Sequence, residues 1–381
     1  MKTTLKRQKT YQSTPPHWIV NWLAIALFAH LGALVRLVLM QLAIVDNHQM
    51  SSTLYSNFLG CLIIAVVNAN KPIFDWLNLT VLFNGISAGF CGALTTFSSW
   101  NLEVARWIVA WPSPTVLGAG DHVYAFSAIS AVMTELGVSL MGFQMGHICI
   151  ALLPGMKTPG TLPHVGNYGT LDQHVQQPHA EQEWRLVFHG RTQCAYLHGG
   201  SDEHEYHDVK EESTFSGQHS VYLCCFAVLC SVDVAFLWAP PAANRLGLIF
   251  IFLFAPIGAL LRYFLGLWYN SWWKHFKLGT FFANAGASFV LAMCTVFKAR
   301  EGCFASDSSD FEPLWNDVLL GVTFGFCGAL STMSTLASQL FEMDMLYAFV
   351  YCNLSLLAAQ VILCVILGVF LHTSGVTTVC V

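Results

Sequence analysis

The chain has 381 residues with a formal net charge of −5; 55% of its side chains are hydrophobic and only 10% are charged. A soluble globular protein carries about 25% charged residues, so water is excluded as the main solvent and a membrane protein is the class that fits. A pI near 6.3 excludes an electrostatic case for nucleic acid.

Residues 1–17 are polar and basic, with Lys2, Lys6, Arg7 and Lys9, and are expected as a cytoplasmic tail. The apolar run behind them is too long for the core of a signal peptide, so the first helix itself is expected to direct insertion. A bilayer takes about 20 apolar residues per helix. That length predicts nine spans, at about 18–43, 52–70, 79–110, 123–153, 221–239, 247–269, 278–297, 317–340 and 346–371. The third and eighth are interrupted midway by Gly, Ser and Thr, at Gly89–Ser99 and Gly325–Thr335. Non-helical backbone at membrane depth survives only where protein buries it or water lines it, so both are read as broken helices meeting near the midplane.

Residues 154–220 hold Pro154, Pro159, Pro163 and Pro178, eight of the 15 His and nine of the 22 acids, with no apolar period. They are expected as a flexible, polar, His-rich linker, and their His are too scattered for a metal motif. The 13 Cys lie mostly inside apolar runs and read as small packers, with no CxxC pair and no zinc spacing. Lys71, Lys157, Arg185, Arg191, Lys210, Lys274 and Lys277 join the tail on one side, which argues for a cytoplasmic N-terminus, while Arg245, Lys298 and Arg300 disagree. The sequons at Asn78 and Asn353 then fall on the cytoplasmic side or inside a span.

An internal repeat is present. The first half reads GALVR at Gly32–Arg36, SNFLG at Ser56–Gly60 and GFCGALTTFSSW at Gly89–Trp100; the second reads GALLR at Gly258–Arg262, ANAGA at Ala283–Ala287 and GFCGALSTMSTL at Gly325–Leu336. Four spans precede the linker and four follow the span at 221–239, so one odd helix reverses the direction in which the second half enters the membrane. The expected fold is therefore all-α, with two inverted four-helix repeats at 18–153 and 247–371, an inverter helix at 221–239 and a tail at 372–381. Inverted repeats of this kind place permeation sites at the midplane between the halves. Asp233 in the inverter needs a local partner or an interfacial position.

At G-x-x-x-R in each first helix, Asn in each second and G-x-x-G-x-[TS]-T-x-S-[ST] at each break, the chain resembles the CrcB/Fluc fluoride channels. As a fused duplication it is similar to the eukaryotic exporters of that family. The resemblance covers the eight repeat helices and implies a monomeric pseudo-dimer in the plasma membrane that exports fluoride passively. It also implies roles for individual residues. Arg36 and Arg262 match the arginine near the pore vestibule, and Asn57 and Asn284 the pore asparagine, with Thr53 and Thr280 four residues earlier on the same face. Gly92, Thr95, Gly328 and Ser331 match positions whose carbonyls hold a structural sodium ion, the one cofactor implied. The paired phenylalanines of the break fall at Phe97 and Trp100, and have become Met333 and Leu336 in the second half. Ser98, Ser334 and Thr335 supply hydroxyls at the breaks; Tyr351 and Ser355 match the polar track of the last helix, whereas Ala359 has lost its hydroxyl.

These residue types suit the ion. Fluoride is a small, strongly hydrated acceptor, and Asn, Ser, Thr and Tyr offer neutral donors that replace water without trapping the anion as a fixed charge would. An aromatic ring meets an anion with its positive edge, and backbone carbonyls are hard ligands for a hard cation. Each has a bland counterpart: an Asn can be interhelical glue, a buried Phe plain core, an intramembrane Arg a structural pair.

The halves are unequal. Pairing Gly146 with Gly368 sets Ile129 and Met133 opposite Tyr351 and Ser355, so the first half shows no hydroxyl track in its fourth helix but carries Glu135 there. One working pore is expected from Asn284, Tyr351 and Ser355 with Phe97 reaching across, the other being vestigial. A proton-coupled fluoride antiporter is the alternative, with Glu135, Asp233 and Glu342 as its only candidate acids. A multidrug-type cation exporter would want an acid where Arg36 and Arg262 stand, and an inert scaffold would not need matched helix breaks. No nucleophile–base pair or catalytic metal motif supports an enzyme.

Overall fold

The structure, a computed structural model, describes residues 17–44, 51–109, 121–152, 245–304 and 312–374. The linker, the expected span at 221–239 with Asp233, and the tails up to residue 16 and from 375 lie outside the described residues. Every described element is helical. The first half contains α1 (His17–Ile44), α2 (Leu54–Ala69), α3 (Lys71–Trp76), α4 (Thr80–Asn84), α5 (Gly92–Leu94), α6 (Ser98–Ile108) and α7 (Asp121–Leu152). The second contains α8 (Arg245–Tyr269), α9 (Leu278–Phe304), α10 (Glu312–Leu320), α11 (Gly328–Leu330), α12 (Ser334–Glu342) and α13 (Met345–Ser374). Among the described residues seven stretches are long and apolar enough to cross a membrane, and α2 is a shorter apolar helix of 16 residues. At 1.5 Å per residue α2 reaches only about 24 Å, because Ser51, Ser52 and Thr53 turn ahead of it instead of extending the expected span.

Both broken helices fall where Gly, Ser and Thr predict them, with one addition. Each contains a seven-residue π-helical segment, Gly85–Cys91 and Gly321–Cys327, then a single α turn, then a residue in extended conformation (Thr95 at φ −92°, ψ 150°; Ser331 at φ −82°, ψ 152°). π-Helical turns are rare and recur at functional sites. A third irregular point, Asn78, takes a left-handed φ of 55° between α3 and α4, a conformation that Asn tolerates better than most residues.

The repeat is visible in packing as well as in sequence. α1 lies against the first π segment and α8 against the second, and α1 and α8 also pack on each other. Between them sits a core of six alanines, Ala29, Ala33, Ala93, Ala255, Ala259 and Ala329, together with Ile25. Lipid gives helices no hydrophobic reason to associate, so close approach through small residues has to supply the contact. A Cβ on Gly32 would run into the Phe90 carbonyl and stand 3.0 Å from the Leu94 amide; a Cβ on Gly258 would meet Phe326 and Leu330 in the same way. The GALVR and GALLR glycines are thus contact points between the first helix and its own broken helix.

Beyond the breaks the halves exchange segments. α6 packs on its own α7 and on α9 and α13 of the second half, while α12 packs on its own α13 and on α2 and α7 of the first. Phe97, Trp100, Met333, Leu336, Tyr351 and Ala359 share one buried cluster as a result. The fourth helices do not follow the Gly146–Gly368 register. Ile129 and Met133 are 60% and 68% exposed, whereas Tyr351 and Ser355 are buried. The glycines themselves explain the error: Gly146 presses on the Leu62 carbonyl, but Gly368 has only a Val109 methyl at 4.0 Å. The inward face of α7 carries Glu135, Ser139 and Phe143 instead, so this helix does have a polar track.

Gly258→Ala puts a methyl group on fixed backbone and is expected to destabilise the detergent-purified protein by roughly 1–3 kcal/mol. Gly137→Ala, where a Cβ meets nothing within 4 Å, is expected to be neutral or stabilising by up to about 1 kcal/mol. Thermal unfolding followed by tryptophan fluorescence compares the two, and equal midpoints would refute the contact argument.

Candidate functional site

The two extended residues cross at the centre of the molecule, and each serves the other's helix. The Ser331 hydroxyl accepts from the backbone N–H of Phe97 and of Ser98, both at 3.2 Å, at the start of α6. The Thr95 hydroxyl accepts from the N–H of Met333 (3.3 Å) and Ser334 (3.1 Å) at the start of α12. A helix N-terminus leaves its first N–H groups without intrahelical partners, and here each break caps the helix that follows the other. Each capping hydroxyl also donates to the carbonyl four residues back, Thr95 to Cys91 and Ser331 to Cys327, both at 3.0 Å. Ser98 pairs with Ser331 (2.9 Å), Ser334 donates to the Cys91 carbonyl (3.1 Å), and Thr335 accepts from Thr332 (3.3 Å). The hydroxyls of Ser98, Ser334 and Thr335 are therefore tied into the crossing.

The repeat asparagines hold the strand side of each break. Asn57 Oδ1 accepts from the Thr96 N–H (2.8 Å) and its amide donates to the Thr96 carbonyl (3.0 Å); Asn284 does the same to Thr332, at 2.8 and 3.3 Å. The consequence for the carbonyls is direct. The amides of Thr96 and Ser99, which would close helical bonds to Gly92 and Thr95, donate to Asn57 and the Thr96 hydroxyl instead. Thr332 and Thr335 likewise turn away from Gly328 and Ser331. Four carbonyls are released from helical pairing, two from each break, at the four positions expected to bind a cation. As hard oxygen donors they fit sodium. No group of three His, Cys, Asp or Glu that could hold a metal exists among the described residues.

The two arginines expected at the vestibule are buried against this backbone. Arg36 donates to the Ala93 carbonyl at 2.7 Å and to the Phe324 carbonyl, and Arg262 donates to the Ala88 carbonyl. Each guanidinium lies over the glycine of the opposite repeat, Arg36 on Gly328 and Arg262 on Gly92, in space that a Cβ would fill. A side chain at either glycine would displace the guanidinium. Arg262 Nη1 is buried without a partner among the described residues.

Flanking the crossing are two side-chain tracks of opposite character. In the second, Gln339 donates to the Thr280 hydroxyl at 2.8 Å and accepts from the Tyr351 hydroxyl at 2.9 Å. Asn284 and Ser355 are buried beside them, and Ser355 donates to the Tyr351 carbonyl at 2.8 Å. Phe276 meets the Tyr351 ring edge-on at 4.9 Å. Every polar side chain in this set is neutral. In the first track, Thr53 and Asn57 both donate to one oxygen of Glu135, each at 2.6 Å, and Ser52 donates to Glu103 at 2.6 Å. Counting from Thr95 and Ser331, Glu103 and Gln339 occupy the same place in the repeat. Thus one track carries two carboxylates where the other has an amide and a phenol.

The structure sets Asn57 and Asn284 against the two breaks, and Phe97 packs on Trp100 edge-on at 5.6 Å, with the Trp100 N–H buried and unpartnered among the described residues. Sequence reading missed Gln339, Glu103, Ser139 and Phe276. Extending the break alignment six residues past Phe97 and Met333 would have paired Glu103 with Gln339; nothing in the sequence marks Phe276. Asn101 was missed too, though it accepts from Gln360 of α13 at 2.8 Å and ties α6 to the second half.

The chain was compared with known proteins. A family model described as "CrcB-like protein, Camphor Resistance (CrcB)" matches residues 23–146 and 249–369. The chain is similar to Fluoride export protein 1 of Candida albicans, 26% identical over 360 residues that span 90% of this chain and 78% of that protein. It is 23% identical over 344 residues to Fluoride export protein 1 of Saccharomyces cerevisiae, covering 86% of each. A shorter match, 31% over 116 residues, spans 30% of this chain and 83% of the Fluoride-specific ion channel FluC of Acinetobacter baylyi. No solved structure matches the chain.

Removing a shared cap tests the crossing. Ser331→Ala strands two N–H groups at the head of α6 and is expected to cost about 1–3 kcal/mol. Ser331→Thr reproduces what the other repeat uses at Thr95 and is expected to change stability by less than about 0.5 kcal/mol. Thermal midpoints and faster amide exchange at the Phe97–Ser98 peptide give the comparison, and an Ala variant indistinguishable from the Thr variant would sink it.

Proposed function

The chain belongs to the CrcB family, and we propose that it is a passive, fluoride-selective channel that lets fluoride leave the cytoplasm and so confers fluoride resistance. In this reading one path conducts. It runs past Thr280, Asn284, Tyr351 and Ser355, with Phe97 and Trp100 contributed across the crossing by α6, and the track of Thr53 and Asn57 is vestigial. The single observation that supports it most is the neutral second track, the linked side chains Thr280, Gln339 and Tyr351 beside Asn284. Fluoride needs donors in place of water, and neutral hydroxyls and amides can rotate toward it and release it again. Phe97 and Trp100 share a buried cluster with Met333, Leu336 and Tyr351 of the second half, on which α6 packs through α9 and α13.

The same reading puts the protein in the plasma membrane as a monomeric pseudo-dimer with its N-terminus in the cytoplasm, the lipid bilayer and fluoride being its partners. A sodium ion bound by the carbonyls of Gly92, Thr95, Gly328 and Ser331 would add fixed positive potential near the anion path. A second reading, proton-coupled exchange, has one observation in its favour, the buried carboxylate of Glu135.

Fluoride efflux from liposomes containing the purified protein separates the readings. Rapid efflux with no chloride flux and no need for a proton gradient is expected; efflux that follows an imposed pH gradient would make the protein an antiporter. Asn284→Asp places a charge in the neutral track and is expected to slow efflux by about a hundredfold or more, since a fixed like charge raises an anion's barrier steeply in low dielectric. Efflux lost with Asn57→Asp and kept with Asn284→Asp would assign the working path to the first half.

A further inference from the structure

We propose that Glu135 is a built-in anion that closes the first track by holding the donors a fluoride ion would need. The inference rests on the fluoride reading above and explains why only one of two similar paths conducts. Its ground is the geometry around one oxygen. Thr53 Oγ1 and Asn57 Nδ2 both donate to Glu135 Oε1, each at 2.6 Å, short contacts of the charge-assisted kind. Thr53 and Asn57 are the repeat equivalents of Thr280 and Asn284, the donors of the open track. The carboxylate oxygen thus stands where two donors converge, and it has the size and accepting capacity of a small anion.

Three further features set this apart from ordinary helix pairing. Glu135 is 1% exposed and its second oxygen has no partner among the described residues, an expensive arrangement for a carboxylate with only a structural duty. Ser139, one turn further along the same face of α7, is 1% exposed with its hydroxyl unpartnered. That hydroxyl, four residues on from the carboxylate, is available as a donor. Finally, Asn57 can clamp Thr96 without Glu135, because Asn284 clamps Thr332 with no carboxylate nearby. The acid is an addition to the repeat's common plan. Glu103, accepting from Ser52 next to Thr53, adds a second negative group to the same track and repels an entering anion.

The closed path should therefore reopen when the tethered anion is removed. Asn284→Asp first silences the second track; Glu135→Ala, which frees both donors, or Glu135→Gln, which keeps the side chain's shape and removes only the charge, is then added. Fluoride efflux from liposomes is expected to rise at least about tenfold above the Asn284→Asp background, because removal of a buried like charge lowers the barrier to an anion. Adding Asn57→Asp should abolish the regained efflux, which ties it to the first track. If both double variants are monodisperse and neither exceeds the background, the inference is overturned while the assignment of the working track stands. Wild-type efflux from Asn284→Asp alone would overturn that assignment and the inference with it.

Discussion

The reciprocal capping of two broken helices is the interaction on which the rest of this molecule depends. Thr95 and Ser331 leave helical geometry at the centre of the protein, where unpaired backbone costs most. Neither break can satisfy itself. The Ser331 hydroxyl closes the head of α6 and the Thr95 hydroxyl closes the head of α12, while Asn57 and Asn284 take up the next amide in each chain segment. Two independent four-helix units would each carry an open helix end; brought together they cancel one another's deficit. The pairing of the two halves thus follows from hydrogen-bond satisfaction as much as from apolar packing.

From the crossing outward, the other features follow. Extended residues at the breaks send α6 and α12 into the opposite halves, which is how Phe97 comes to share a cluster with Tyr351. The same departure from helix frees the carbonyls of Gly92, Thr95, Gly328 and Ser331 and leaves that of Ala93 for Arg36, which also reaches the Phe324 carbonyl in the second π segment. The arginines need room, and Gly92 and Gly328 provide it. Small residues in α1 and α8 then let both first helices close over the π segments.

Most of this was legible in the sequence because the repeat writes it twice. Matched strings at Gly89 and Gly325 located both breaks, and Arg36, Asn57 and their partners kept order and spacing. What was not legible depends on three-dimensional facing. The fourth helices were set by glycines that do different jobs, so Ile129 and Met133 were paired with Tyr351 and Ser355 although they face outward, and Ser139 was missed. Gln339 was passed over because a lone amide in a helix has no periodic signature, and Phe276 because it belongs to the loop before α9. The resemblance made the serines at the breaks candidate pore donors, and Ser98 and Ser334 spend their hydrogen bonds on the crossing.

The pattern of divergence between the halves has a physical logic. Residues of the crossing come in pairs that serve each other, so Thr95 and Ser331, Thr96 and Thr332, and Ser98 and Ser334 remain hydroxyls in both copies. Loss of the hydroxyl at Thr95 or Ser331 would strand amides in the other half. Track residues serve only their own half, and there the copies differ freely: Glu103 against Gln339, and Glu135 on the face where α13 presents Tyr351 and Ser355. In a dimer of identical subunits any carboxylate introduced into one path appears in both, and an anion path so marked would be lost altogether. Fusion into one chain removes that constraint on the tracks while leaving it in force at the crossing, which is where the two halves of this protein are still alike.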